Sequence, residues 1–500
     1  MRLLATIFAL VLSASAFAQQ LDLKAVDRLM TSTIQQWQIP GAAIAIVQND
    51  RVAYVKGYGT KDGVHPVTPD TLFQIASTSK AFTSTALAML ASDRKLSFDD
   101  PVRKHVPYFR MADMCADSQV TLRDIVTHRT GLPRRDELWD DTPLTREDVV
   151  RRMGMLSLEK PFRASYGYHN IMFIAAGEAV THTSGMSWDD FVRTRIFQPL
   201  GMTHTVVSDA EWNASTDRAT GYSWDAKKAR VEVQKPIDTT TIGAGGAIKS
   251  SARDMANWVR FQLANGTFDG KKLVDPDQLA ETKTPHTVIR LTENTGAVNP
   301  ETQVLTYAMG WNVQDYRGEK LIAHAGSLNG FRTHVALLPK RNTGFVVFIN
   351  AGRGWSLYAL RNTLIDMLIG NATKDWNAYY LALDRDSDAK AAKDKAERLA
   401  KRIPNTTPSR PLADYAGEYT NEAYGPVKIS LVNGGLVLQW TRITAPLTHY
   451  QYDVFDAEEE EHALEETVTF ALDDEKKVKS LTLFGERFTK SLPPTAPSSR

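Results

Sequence analysis

The stretch GAAIAIVQNDRVAYVKGYG, residues 41–59, reads as two strands folded about Asn49-Asp50, a dipeptide that favours a tight hairpin turn. A second hairpin is expected over HVALLPKRNTGFVVFIN, residues 334–350, with Pro339 to Gly344 in the turn. Between the two, LRDIVTH, TREDVVRRMGML, NIMFIAAGEAVTHTSG and SARDMANWVRFQLANG carry apolar residues at helical spacing, while SFDDPVRKHVP reads as a polar, proline-stopped connection. Strands at both ends with helices between them predict an α/β fold, an antiparallel sheet flanked by helices plus a helical lobe.

Near residue 373 the pattern changes. KDWNAYYLALDRDSDAKAAKDKAERLAKR is charged and alanine-rich, a helical linker that IPNTTPSRP breaks. From Leu412 the chain turns to short alternating strands, with one hairpin around Asn433-Gly434 and another within VTFALDDEKKVKSLTLFG. This predicts a small C-terminal β-barrel domain. The acidic run DAEEEE, residues 456–461, is expected as a solvated loop. The expected division is a leader at 1–18, an α/β domain at 19–372, a helical linker at 373–410 and a β-domain at 411–500.

The 500 residues and 43% hydrophobic content allow a large core and more than one domain. Lysine plus arginine (59) nearly cancels aspartate plus glutamate (58), so composition gives no basic footprint for nucleic acid. A single cysteine, Cys115, excludes an intramolecular disulfide and a cysteine-based zinc site. MRLLATIFALVLSASAFAQQ joins a basic Arg2, a short apolar run and Ala16-Phe17-Ala18 ahead of Gln19, the pattern of a cleaved secretory signal peptide. With no further run of about 18 apolar residues, no membrane span is expected after cleavage, and a bacterial periplasm or exterior is the expected location.

The candidate chemistry starts in FQIASTSKAFTSTALAML, residues 73–90, where Ser77 and Lys80 share one face of the first turn of an apolar helix. A serine at a helix N-terminus sits where the dipole favours a developing oxyanion. Desolvation disfavours the ammonium form of Lys80, and a neutral lysine can take the serine proton. The pair reads equally well as an N-cap and a snorkelling lysine. Two further Ser-x-x-Lys pairs, Ser92/Lys95 and Ser157/Lys160, stand in polar surroundings and read as chance.

Tyr168 and Asn170 precede another apolar helix and would bring a phenol and an amide to one loop, the first to relay a proton, the second to hold a substrate carbonyl or the lysine. Tyr419 and Asn421 repeat this spacing without the helix. His324 and Gly326 precede an extended run; the glycine would let a substrate lie along the strand edge, and the Ser327 N–H could join that of Ser77 as an oxyanion hole. His128 reads as structural, and GAGGAIKS, residues 243–250, as a tight turn bordering the cleft. No Gly-x-Ser-x-Gly elbow and no His-Glu-x-x-His is present.

Ser-x-x-Lys, Tyr-x-Asn and His-x-Gly in this order resemble the serine β-lactamase-like family, which takes in class C β-lactamases, low-molecular-weight penicillin-binding proteins, D-aminopeptidases and related esterases. VTLRDIVTHRTGLP, RIFQPLGMTHT, GAGGAIKSSARDMANW and YAMGWNV extend the resemblance over residues ~25 to ~370, and the last domain resembles the lipocalin-like β-domain of some of these hydrolases. The resemblance implies Ser77 as acylated nucleophile, Lys80 as its base partner, Tyr168 as proton shuttle, Asn170 as substrate and network ligand and His324 as the third-motif polar group, with no metal and no cofactor. It also implies a small-molecule or peptide substrate bearing an amide or ester.

Where the family's best-known members carry Lys-Thr-Gly, this chain has His-Ala-Gly. The missing permanent cation leans the expectation toward peptidase or esterase chemistry and away from efficient β-lactam turnover. A β-lactamase and a penicillin-binding sensor or binding protein without turnover are the alternatives. Pocket shape is expected to depend on loops 134–145 and 285–305, and the β-domain could shape or cover the active-site mouth.

Overall fold

The computed structural model describes residues 21–140, 142–225, 228, 230–371, 373–459 and 464–491. The leader reading at 1–18 lies outside them. Strands β1 (Gly41–Gln48), β2 (Arg51–Gly59), β3 (Thr287–Ile289), β4 (Leu305–Tyr307), β5 (Asn312–Tyr316), β6 (Glu319–Leu328), β7 (Phe331–Leu338) and β8 (Thr343–Ile349) form one antiparallel sheet in the order β2-β1-β8-β7-β6-β5-β4-β3. The chain therefore lays down one edge first, builds the helical lobe, and returns to complete the sheet. Asn49 and Asp50 both adopt positive φ, 51° and 60°, which gives the β1–β2 hairpin its tight turn.

Side chains alternate across a strand, and here both faces are covered. Ala42, Ile44 and Ile46 of β1, with Phe345, Val347 and Ile349 of β8, pack on Met30 and Trp37 from helix α1 (Leu23–Gln36) and its C-cap. Ala43, Ala45 and Val47 of β1, with Val346 and Phe348 of β8, face the other way, into the large core that holds the helical lobe.

The lobe is built from helices that the sequence marks well. Thr121 with Asp124 and Thr145 with Asp148 form capping boxes that start the helices Leu122–Val126 and Arg146–Met153. Helix α2 (Ser79–Ser92) is buried along nearly its whole length and packs on α3 (Ile171–Ser184), while α4 (Ala252–Leu263) lies on the sheet. SFDDPVRKHVP, expected as a connection only, contains one helical turn, Val102–His105, because Val102 and His105 are buried.

Helix α5 (Gly354–Ile369) covers the outer face of the sheet, and α6 (Trp376–Ala400) follows it. The first turns of α6 belong to the α/β core: Trp376 and Tyr380 are fully buried, and Trp376 Nε1 donates to Asp366 Oδ2 at 2.7 Å. From residue 385 on it is exposed, and Arg398 in its last turn donates from Nη1 to Asp456 Oδ2 at 3.0 Å in the next domain.

That domain is a closed barrel of eight consecutive strands, β9 (Gly417–Asn421), β10 (Gly425–Val432), β11 (Gly435–Trp440), β12 (Ile443–Gln451), β13 (Val454–Glu459), β14 (Leu464–Leu472), β15 (Val478–Leu483) and β16 (Glu486–Lys490), with β16 pairing back to β9. The acidic run is not a loop: residues 456–459 belong to β13, paired with β14, where alternation puts Phe455 and Ala457 inside and Asp456 and Glu458 on the outer face. Residues 460 and 461 lie outside the described set. Aromatic side chains fill the barrel, with Tyr415 and Phe470 rings 5.0 Å apart and Tyr424 stacked on Phe484 at 5.6 Å.

Candidate functional site

Ser77 sits in a single 3-10 turn, Ala76–Thr78, between the short strand Phe73–Gln74 and α2. Ala76 is held at φ +49°, a left-handed conformation uncommon for a residue with a Cβ. Such strain needs support from its surroundings. Gly326 of β6 supplies it: a Cβ there would stand 2.1 Å from Ile75 O, so only glycine lets the sheet approach the serine's own backbone. This close approach is the structural reason for the glycine that the sequence suggested for substrate contact.

Lys80, one turn further on, is fully buried. Its Nζ lies 3.2 Å from Ser77 Oγ and donates to Asn170 Oδ1 at 2.6 Å and to Gly245 O at 2.7 Å. Burial pushes its pKa well below the ordinary lysine value, partly opposed by the carboxylate of Asp136. A neutral amine has two protons and one lone pair. The two carbonyl oxygens take the protons, which leaves the lone pair for the Ser77 hydroxyl.

Tyr168 donates its O–H to Ser77 Oγ at 2.8 Å, and burial raises the phenol's pKa, so it remains protonated. Behind Tyr168 lies the His128 ring, 4.3 Å away between centroids, with His169 and Tyr307 around it. His128, His169 and His324 are all buried, and burial lowers each pKa, His169 to about 4 and His324 to about 3. All three are neutral at pH 7.

His324 places Nδ1 2.7 Å from Ala325 O and Nε2 3.0 Å from the Tyr307 hydroxyl. The first contact requires a proton on Nδ1, so Nε2 accepts from Tyr307. No positive charge stands at this third motif.

The serine opens into a cleft of about 480 Å³. Asn170, Asp136, Arg134, Ser327 and Arg332 line it beside Ser77, so both residues suggested for an oxyanion hole face one space. Loop 134–145 borders this cleft as expected; residues 285–305 do not contribute to its lining.

Ser77, Lys80, Tyr168, Asn170, His324, Gly326 and Ser327 thus gather at one place, and the look-alike motifs do not. Ser92 Oγ donates to Ala88 O, Lys160 Nζ to Tyr166 O and Tyr419 O–H to Tyr415 O inside the barrel. Three participants lie in segments that the sequence marked but were given no role there: the Gly245 carbonyl, Asp136 and Tyr307. The glycine turn that contains Gly245 was visible, but its contact with Lys80 spans 165 positions. Among the described residues, no group of three or more His, Cys, Asp or Glu could hold a metal ion, and no helix is long and apolar enough to cross a membrane.

A family model described as Beta-lactamase matches residues 26–366, and one described as a domain of unknown function, DUF3471, matches 401–493. The unguisins hydrolase ungD′ of Aspergillus campestris is 30% identical over 421 residues, covering 80% of this chain and 76% of that protein. Protein flp of Staphylococcus aureus strain N315 is 28% identical over 332 residues, 65% of this chain and 62% of its own. Among solved structures, the octameric penicillin-binding protein homologue from Pyrococcus abyssi superposes with a TM-score of 0.63 at 22% identity, over 94% of this chain and all of that one. SurE superposes at 0.56 and 19% identity, over 94% of this chain and 98% of that one.

Proposed function

On the premise that the chain belongs to the β-lactamase family of serine hydrolases, which the match over residues 26–366 shows, we propose that it hydrolyses amide or ester bonds through an acyl-enzyme on Ser77. The observation that carries this is the Lys80 amine, buried, spent on two carbonyl oxygens and left with its lone pair toward Ser77 Oγ at 3.2 Å.

In this reading Lys80 takes the Ser77 proton as Oγ attacks the substrate carbonyl. The ammonium formed is held by Asn170 Oδ1 and Gly245 O. The N–H groups of Ser77 and Ser327 receive the oxyanion. As the bond to the leaving amine or alkoxide breaks, Tyr168 O–H supplies its proton and is reprotonated by the Lys80 ammonium, which returns to the neutral amine. Water then attacks the acyl carbonyl as the neutral Lys80 takes its proton, and Ser77 Oγ leaves with the Tyr168 proton, which the Lys80 ammonium replaces. Tyr168 acts as the acid here and Lys80 as the base, since burial raises the phenol and lowers the amine.

The substrates we propose are small or D-amino-acid-containing peptides and esters. Neutral His324 offers no permanent cation to a substrate carboxylate at the third motif. The cleft carries both signs of charge, Arg134 and Arg332 with Asp136 and Asp384, which suits a peptide end better than a uniformly anionic ligand. One relative is named as a hydrolase of unguisins, and SurE is known in a structure with D-Leu. The leader pattern at 1–18 supports a periplasmic or secreted location, which N-terminal sequencing of the mature protein checks.

The test is intact-protein mass with time after mixing with a penicillin, with Ser77→Ala alongside. An adduct lost in the variant supports the acyl-enzyme and directs the substrate search to cell-wall peptides. No adduct with penicillin, but labelling by a general serine-hydrolase probe that Ser77→Ala abolishes, directs it to esters and small D-amino-acid peptides. Labelling that persists in Ser77→Ala overturns the reading.

A further inference from the structure

Asn170 is gripped from the side away from Lys80. Its Nδ2 donates to Asp136 Oδ1 at 2.8 Å. The same oxygen accepts from Trp139 Nε1 at 2.8 Å, and Asp136 Oδ2 accepts from Arg134 Nε at 2.5 Å. A carboxylate only accepts, so Asn170 must turn its NH2 toward Asp136 and its oxygen toward Lys80. With the amide flipped, an N–H would face Nζ and draw the amine's lone pair away from Ser77.

The segment that carries Asp136 is held in turn by the barrel. The preceding residue, Arg135, pairs through Nη2 with Glu486 Oε1 at 3.3 Å, at the start of β16. Arg152 reaches the same end of the barrel, donating from Nη1 to Ala423 O at 3.4 Å. A continuous path therefore runs Glu486–Arg135–Asp136–Asn170–Lys80, from a barrel strand to the amine beside the nucleophile.

We propose that Asp136 is a positioning residue of the reaction, fixing the Asn170 amide so that the Lys80 lone pair faces Ser77, and that the barrel holds Asp136 in place through Arg135 and Glu486. This rests on the base role given to Lys80 above. The carboxylate also raises the Lys80 pKa against the lowering by burial. Removing its charge therefore favours the neutral amine and moves the acid limb of kcat/KM to lower pH, even as kcat falls through misorientation.

The test is Asp136→Asn in the full chain, assayed across pH on an ester that labels Ser77. A fall in kcat of about ten- to a hundredfold, together with an acid limb displaced to lower pH, is the expected result. An unchanged kcat, or a fall with no displacement of the limb, overturns it. Glu486→Lys places like charge against Arg135 and is expected to lower kcat, while Arg135→Glu with Glu486→Lys restores it. A wild-type kcat in Glu486→Lys overturns the barrel's part, and this pair carries the test if Asp136→Asn does not fold. Lys80→Ala run in parallel separates the two readings: retained activity there sinks the base assignment itself, whereas an inactive Lys80→Ala beside a normal Asp136→Asn sinks only the positioning role.

Discussion

Tyr168 donates its O–H to Ser77 Oγ across 2.8 Å, and the burial that raises this phenol's pKa keeps it a donor throughout the neutral range. A phenol in that state can protonate a leaving group but cannot deprotonate the serine. Tyr168→Phe keeps the ring against His128 and removes only the hydroxyl. It is expected to lower kcat by about 10² to 10⁴, the range for a positioned general acid, with the fold unchanged by circular dichroism. Steady-state kinetics check this, and an undiminished kcat would assign the leaving-group proton elsewhere.

Lys80→Arg separates a base from a mere cation. Arginine retains positive charge at every accessible pH and has no lone pair to offer. If Lys80 works as the neutral base, Lys80→Arg loses as much activity as Lys80→Ala, by orders of magnitude. Appreciable activity in Lys80→Arg would mean that charge, not basicity, is what the site needs. In the wild type, the lowered pKa of Lys80 places the acid limb of kcat/KM well below the ordinary lysine value, which a pH–rate profile reads directly.

Gly326→Ala tests the close approach behind the nucleophile. The added Cβ would meet Ile75 O at 2.1 Å and the Ala76 Cβ at 3.2 Å, so β6 and the serine's strand must separate. The expected outcome is a destabilisation of about 1–3 kcal/mol, typical of overpacking, and slower labelling of Ser77 by a serine-hydrolase probe. A thermal melt and a labelling rate equal to those of the wild type would show that the backbone here yields freely.

Much of this site was legible because its residues announce themselves locally. Ser77 and Lys80 share a helical face, Tyr168 and Asn170 open an apolar helix, and both hairpins carry turn residues that the backbone uses at positive φ. Asp136 was not legible. Its partner Asn170 stands 34 positions away, and nothing in the loop's own pattern distinguishes it from neighbouring charges. The acidic run misled for a related reason: a barrel strand exposes every second residue, so carboxylates at 456 and 458 look like a loop until Phe455 and Ala457 are seen to face inward. Likewise, α6 looks like a linker by composition, yet Trp376 and Tyr380 dock its first turns on the sheet's outer helix.

The neutral histidines behind Tyr168 give the protein a specific acid sensitivity. An unfolded histidine binds its proton near pH 6.5, whereas folded His324 does so only near 3 and His169 near 4, chiefly because burial disfavours the charged ring. Between those values the unfolded chain holds the proton and the folded one does not, so lowering pH favours unfolding. Each histidine contributes a slope of about 1.4 kcal/mol per pH unit, absent above pH 6.5. Glu137 and Glu466, raised by burial, bind protons earlier in the folded protein and offset part of this slope. Comparing variants removes that offset: in urea titrations between pH 6 and pH 4, His324→Gln should lose stability less steeply than the wild type by about 1.4 kcal/mol per unit. Equal slopes would mean that His324 is already protonated in the folded protein, and a cation would then stand at the third motif after all.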